Sequence, residues 1–183
     1  MKKFIVFLAK TIGSVVGLIV LVVFSIFAVA RFSDGPIGNG PPIEMVTAGP
    51  FKTGELQVDG DEPDWSFLKD YPIVQFQLLD PPRSRTTFIM ETEGRIFIPS
   101  GYMNSTMGKI WKHWPMEAEK DGRALLRVDG KLYERTMVRI EEGEILNGVL
   151  GELSRKYAGG FPVSQENIDS GDLWIFELEP RKN

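Results

Sequence analysis

The apolar and polar positions divide this chain into an N-terminal block with no polar relief and a longer block of short alternating periods. Thr11 to Ala30 (TIGSVVGLIVLVVFSIFAVA) carries no charge. About 20 residues at about 1.5 Å rise reach about 30 Å, the hydrocarbon thickness of a bilayer. The run predicts a transmembrane helix at 11–30 behind a basic N-terminus at 1–10. Ser33 to Pro50 (SDGPIGNGPPIEMVTAGP) is dense in Gly and Pro. It predicts a linker at 31–55 or a segment laid over the domain, and linker is preferred for most of it.

Beyond residue 56 the periods become those of a sheet with short helices. Asp64 or Asp61 caps a turn carrying Trp65, Phe67 and Leu68, and Ile73 to Leu79 alternates apolar residues around two glutamines, the pattern of a strand that Pro81-Pro82 ends. Thr87 to Glu91 and Arg95 to Pro99 flank Thr92-Glu93-Gly94 as a hairpin. Asn104 or Ser105 caps a helix around Met107 to Trp114, and Pro115 suits the first turn of another reaching Lys120. Arg123 to Val128 and Lys131 to Ile140 flank Asp129-Gly130, a strong hairpin signal because both turn positions need positive φ. Ile145, Leu146, Val149, Leu150, Leu153 and Tyr157 then share a helix face that Gly159-Gly160 ends, with Gly143, Gly148 and Gly151 opposing the helix. Asp172 to Leu178 is a closing strand. The fold class is α+β: mainly antiparallel strands with short flanking helices, as one domain at 56–183 after one transmembrane helix. No internal repeat is visible.

Charge sets the topology. Lys2, Lys3 and Lys10 precede the apolar run and only Arg31 follows before Asp34, which keeps the N-terminus cytoplasmic and exports the domain. Ala28-Val29-Ala30 fits a signal-peptidase site, so a cleaved leader competes with an uncleaved anchor; the run is long for a leader. Gly13 and Gly17 would let two such helices approach as a homodimer, and are equally the ordinary glycines of a membrane helix. Past Arg31 the chain holds 17 basic and 25 acidic residues, net −8, which disfavours nucleic acid as a partner. Within it, Asp34 to Asp80 holds nine acids and two lysines, whereas Arg83 to Arg139 holds eleven basic residues and seven acids. An anionic small molecule would bind in the second stretch. With no cysteine, thiolate metal sites and disulfides are excluded.

Arg83-Ser84-Arg85-Thr86-Thr87, read as a turn entering a strand, offers two guanidinium forks and three hydroxyls, suited to a phosphate or carboxylate; it is equally an ordinary polar turn. Ser100-Gly101-Tyr102 ends the partner strand, and Asn104 to Lys109 leads into a helix N-terminus, so the two segments could converge. Trp111 and Trp114 are three apart and share a face, which reads as core packing or as a ligand platform. His113, the only histidine, is a general acid or base or a haem ligand at most, since one histidine without cysteine makes no metal site. Nucleophile elbow, P-loop, dinucleotide fingerprint and H-E-x-x-H are absent. Asn104-Ser105-Thr106 fits a glycosylation acceptor but reads as a helix cap.

The order of elements from Ile73 to Leu178 resembles the split β-barrel flavin-binding proteins, which include pyridoxamine-phosphate-oxidase-like enzymes and deazaflavin-dependent nitroreductases. The segments RSRTTFIMETEGRIFIPSG and KIWKHWPMEAEKDGRALLRVDGKLYERTMVRI carry the likeness. The resemblance implies a split barrel binding FMN or a deazaflavin. Arg83, Ser84, Arg85, Thr86 and Thr87 would lie at the cofactor's phosphate-bearing tail or ring edge, Ser100 and Gly101 beside the ring, and Lys109, Trp111 and Lys112 on the helix facing the tail. Against it, the G-R-K-[ST]-G-x-x-R loop of the deazaflavin enzymes is shortened here to Pro-Pro-Arg-Ser-Arg-Thr. Three functions stay open: an oxidoreductase with a small or quinone-like acceptor, a barrel scaffold without cofactor, and an enzyme of another class using His113.

Overall fold

The computed structural model describes residues 2–38, 47–58, 62–160 and 162–182, apart from the side chains of Met107, Ile110 and Trp111. The helices are α1 (Lys2–Phe32), α2 (Thr106–Trp111), α3 (Trp114–Lys120), α4 (Ile145–Tyr157) and α5 (Gln165–Asp169), with a 3₁₀ turn at Trp65–Asp70. The strands are β1 (Glu55–Gln57), β2 (Val74–Leu79), β3 (Pro82–Thr87), β4 (Met90–Thr92), β5 (Arg95–Ser100), β6 (Arg123–Val128), β7 (Lys131–Ile140) and β8 (Trp174–Pro180).

The helix α1 begins at Lys2, before the uncharged run, because Phe4 to Leu8 continue the apolar pattern and nothing up to Gly13 interrupts the backbone ladder. It is long and apolar enough to cross a membrane, and of its residues only Ala30 is buried.

The strands form a sheet in the order β3-β2-β6-β7-β8-β5-β4, antiparallel throughout, with β1 added in parallel to the part of β7 that β8 leaves free. The strands β3 and β4 lie at opposite ends of that order, yet only Phe88 and Ile89 separate them in the chain. The three steps from Thr87 to Met90 span at most about 11 Å, so the sheet must curl until its ends meet. They meet without pairing, and the result is a split barrel.

Its interior holds Phe76 and Leu78 of β2, Ile96 and Ile98 of β5, Leu126 of β6 and Phe176 of β8, with Trp65 and Trp114 entering from the 3₁₀ turn and α3. A second apolar layer packs Leu146, Val149, Leu150 and Leu153 of α4 against Met90, Phe97 and Ile175. Gly148 belongs to this contact: a Cβ there would stand 2.5 Å from the Thr92 hydroxyl, so α4 approaches β4 at glycine distance.

The Asp129-Gly130 hairpin forms as the sequence predicts, with φ of 49° and 76° at the two turn residues. Three expectations are corrected. Pro81-Pro82 ends β2 at Leu79 as expected, but as a tight hairpin turn. Leu79 pairs with Pro82 and the chain folds back on β2, so Arg83 to Thr87 are strand rather than a turn. The Thr87 to Glu91 run is broken at Phe88-Ile89, where the chain crosses the split, and Thr92 belongs to β4 opposite Arg95. The two helices expected here are present, but the first ends at Trp111 rather than Trp114. Ser105 caps the first, accepting from the Gly108 N–H, and Trp114 opens the second, so the shared-face argument for Trp111 and Trp114 does not apply.

The expected linker is largely laid on the barrel wherever it is described. Ala48 bridges to Ser84 at the free edge of β3, and the Phe51 N–H donates to Gln77 on the outer face of β2. Residues 39–46 of that linker lie outside the described residues.

One polar cluster fixes the 3₁₀ turn. Glu62 accepts from Trp65 Nε1 and from Arg135, both at 2.6 Å, and the buried Arg135 guanidinium stands 5.0 Å from the Trp65 ring. Hydrogen bonds to charged groups contribute about 1.5–3 kcal/mol, so Glu62→Ala is expected to lower stability by about 2 kcal/mol, read as a fall in urea midpoint at unchanged slope.

Candidate functional site

Because Arg83 to Thr87 form a strand, their side chains alternate between two faces. Register places Arg85 opposite Phe76 and Arg83 opposite Leu78, both core residues, so Arg83, Arg85 and Thr87 share the inner face. Ser84 and Thr86 point outward, opposite Gln77 and Gln75. The Ser84 hydroxyl is buried and donates to the Gly49 carbonyl, which ties down the strap.

The Arg85 guanidinium lies between two rings, 5.6 Å from Phe76 and 5.7 Å from Trp114. Burial pushes it down to about 10, opposed by the charge of Glu117 and assisted by that of Arg83. The Nε atoms of Arg83 and Arg85 and the Thr86 hydroxyl are buried without a hydrogen-bond partner, and among the described residues no carboxylate forms an ion pair with either arginine. A cation buried without an anion is costly, and Arg85 stands beside a second, half-buried one at Arg83. An anionic ligand group would satisfy them.

The remaining predicted residues form a separate cluster. Ser100 is buried and directs its hydroxyl at the Met103 sulfur, 3.2 Å away. Lys112 Nζ donates to the Gly101 carbonyl at 2.6 Å and stands over the Tyr102 ring, and burial lowers its pKa against the pull of Asp172. Lys109 is exposed on α2, while the Trp111 side chain lies outside the described residues. Among the described residues no hydrogen bond, ion pair or ring contact joins this cluster to Arg83 or Arg85, so convergence of the two segments does not occur through direct contact. His113 stands at the N-cap of α3 without a side-chain cap bond. No group of side chains suited to a metal ion occurs among the described residues.

Two grooves of about 520 Å³ each open on the surface. One is lined by Asp34, Thr53, Tyr71, Gln75, Arg127 and Asp129, and the other by residues of α4 and the chain leading into α5. Neither includes a predicted site residue. The inner face of β3 thus offers two cations to an anionic group, and neither of these grooves opens beside them.

Phe76 and the nearby acid Glu117 escaped the sequence reading, and Trp114, which reads there as core packing or a ligand platform, is not visible there as a partner of Arg85. Phe76 faces Arg85 only once Pro81-Pro82 is known to be a hairpin turn, and Trp114 reaches both only when the barrel has closed.

No known family profile matches the chain, and no curated protein does. Among solved structures, a provisionally assigned pyridoxamine 5'-phosphate oxidase from Listeria innocua is similar at 12% identity, covering 64% of this chain and 90% of its own, with a TM-score of 0.44. A conserved hypothetical protein from Mycobacterium tuberculosis follows at 14% identity, 70% and 86% coverage and a TM-score of 0.45. The haem-storage protein HutZ from Vibrio cholerae is similar at 11% identity, 64% and 87% coverage and a TM-score of 0.40. The split barrel described above rests on this chain's own strand order.

Proposed function

We propose that this protein is a membrane-anchored split barrel that binds a phosphate-bearing flavin-type cofactor, FMN or a deazaflavin, through Arg83 and Arg85. The observation that carries the reading is the inner-face pair Arg83 and Arg85, whose buried Nε atoms have no partner, with the Arg85 guanidinium held beside two aromatic rings. Bound flavin would supply electron transfer to a small or quinone-like acceptor, while the chain's own residues hold the anion and exclude water from it. The helix α1 serves as an uncleaved anchor with its N-terminus in the cytoplasm and the barrel outside. Retention is supported by Ala30, the last residue of the small-x-small triplet, which is fully buried with its carbonyl bonded to Ser33 and Gly49.

Titration of the full-length protein in detergent with FMN, FAD and a deazaflavin, followed by fluorescence quenching, tests the reading. Saturable quenching is expected. No change up to about 100 μM, which corresponds to about −5.5 kcal/mol, overturns it. The second reading, a barrel scaffold without cofactor, is favoured by the packing of Arg85 between Phe76 and Trp114 and by the position of the grooves elsewhere. On that reading Arg85 is a structural cation.

A further inference from the structure

The junction between α1 and the barrel has no slack. The Ala30 carbonyl accepts from the Ser33 N–H at 3.2 Å, the Ser33 hydroxyl at 2.7 Å and the Gly49 N–H at 2.8 Å. Lys52 Nζ donates to the Phe32 carbonyl at 2.7 Å. Asp34, three residues past that bonded carbonyl's Arg31 neighbour, accepts from the Lys52 N–H at 2.6 Å, the Thr53 hydroxyl and Arg127 at 3.1 Å. The Arg127 guanidinium in turn covers the Phe51 ring at 4.1 Å. Burial pulls the Asp34 carboxyl upward, but the bonds from Lys52 and Thr53 and the Arg127 charge outweigh it and hold it at about 2. The clasp is therefore ionised at any physiological pH.

Among the residues of α1 only Ala30, in its last turn, is buried. The uncharged run ends at the residue whose carbonyl is bonded to Gly49. The strap from Ala48 to Thr53 therefore starts within about one helical turn, about 5 Å, of the edge of the hydrocarbon. Its surroundings suit that depth: Arg31 and Lys52 are exposed, as are Phe32 at 78% and Ile37 at 47%. Aromatic, apolar and long basic side chains are the residues that settle at a bilayer interface.

We propose that the barrel is seated on the headgroup layer of the membrane that α1 crosses, strap face down, and is held in one orientation by the Asp34 clasp. The proposal rests on the membrane-spanning reading of α1.

The chain has no cysteine, so Ile37→Cys, Lys52→Cys and Glu142→Cys each give one nitroxide site in the full-length protein, reconstituted in phosphatidylcholine–phosphatidylglycerol nanodiscs. Glu142 follows the far end of β7, about 30 Å along the strand from the Asp129-Gly130 turn that shares a groove with Asp34. Labels at 37 and 52 are expected to be open to oxygen and shielded from an aqueous nickel chelate, and the label at 142 the reverse. Adding Asp34→Ala should move label 52 into water while the protein stays in the disc. If labels 37 and 52 are aqueous in an incorporated protein without that change, the barrel is tethered rather than seated and the proposal fails alone. If label 52 is unmoved by Asp34→Ala, the clasp does not hold the orientation. Protein that does not enter the disc refutes the spanning reading and this proposal with it. Ile37 makes no polar side-chain contact, so its label carries the test should Lys52→Cys loosen the strap.

Discussion

Replacing Arg83 and Arg85 together by alanine is expected to weaken FMN or deazaflavin binding by two orders of magnitude or more, and fluorescence titration of the double variant against the parent protein measures it. Each charge-assisted bond contributes about 1.5–3 kcal/mol. Losing both removes about 3–6 kcal/mol, at about 1.4 kcal/mol per tenfold change in affinity. The same geometry fixes a second outcome that separates the two readings of the barrel. Arg85 is pushed down to about 10 from an ordinary value of 12.5, chiefly by burial, so the ligand-free fold carries a penalty for keeping it charged. That penalty is fully present below pH 10 and fades only as pH rises through about 10 towards the unfolded value. At about 1.36 kcal/mol per unit, less about 0.5–2 kcal/mol for the lost ring contacts, Arg85→Met should stabilise the ligand-free protein by about 1–3 kcal/mol. A higher urea midpoint with lost ligand binding marks a binding cation held at a cost. A lower midpoint with unchanged ligand response marks a structural one and promotes the scaffold reading.

The parts of the fold legible in the sequence are those where one local rule acts alone. Asp129-Gly130 requires positive φ at two adjacent positions and is flanked by clear β-rich runs on both sides, so β6 and β7 appear at their expected bounds. The apolar face of α4 is equally plain, because Leu146, Val149, Leu150 and Leu153 repeat at helical spacing and all four are buried.

Reading failed where distant contacts override local signals. Pro81-Pro82 stops a strand by local rules, yet Pro82 can open an edge strand whose N–H is not needed, and Ala48 then covers that edge. Once β3 exists, the five residues from Arg83 to Thr87 cannot form a single cluster, because alternation sends Ser84 and Thr86 outward. The Gly and Pro density of 31–55 hides Ser33, Asp34 and Ala48, whose partners Gly49, Arg127 and Ser84 lie up to 93 residues away along the chain. Composition marks such a stretch as lacking a core of its own. It cannot show that another element's surface is waiting for it. The α5 helix went unseen because its five residues owe their start to a capping box between Ser164 and Asn167 and bury only Ile168.

Trp114→Ala is expected to cost about 3–5 kcal/mol through the cavity it leaves. Trp114 is the first residue of α3, where Pro115 suits the opening turn, and its ring is only 6% exposed. It packs 5.1 Å from Phe76 in a T-shaped contact and 5.3 Å from Phe176, so it joins β2 to β8 across the barrel interior. A helix of seven residues has no stability of its own. Apart from Trp114 and Pro115, α3 buries only Ala118, so removal of the indole should undock the helix as well as hollow the core. The substitution also strips one of the two rings from Arg85 and opens that cation to water. Trp114→Phe, which keeps a ring against Phe76, should lose much less. Urea titration with near-ultraviolet circular dichroism distinguishes these outcomes: a loss below about 1 kcal/mol for alanine, the range of an ordinary surface change, would mean that the barrel is not closed around this side chain.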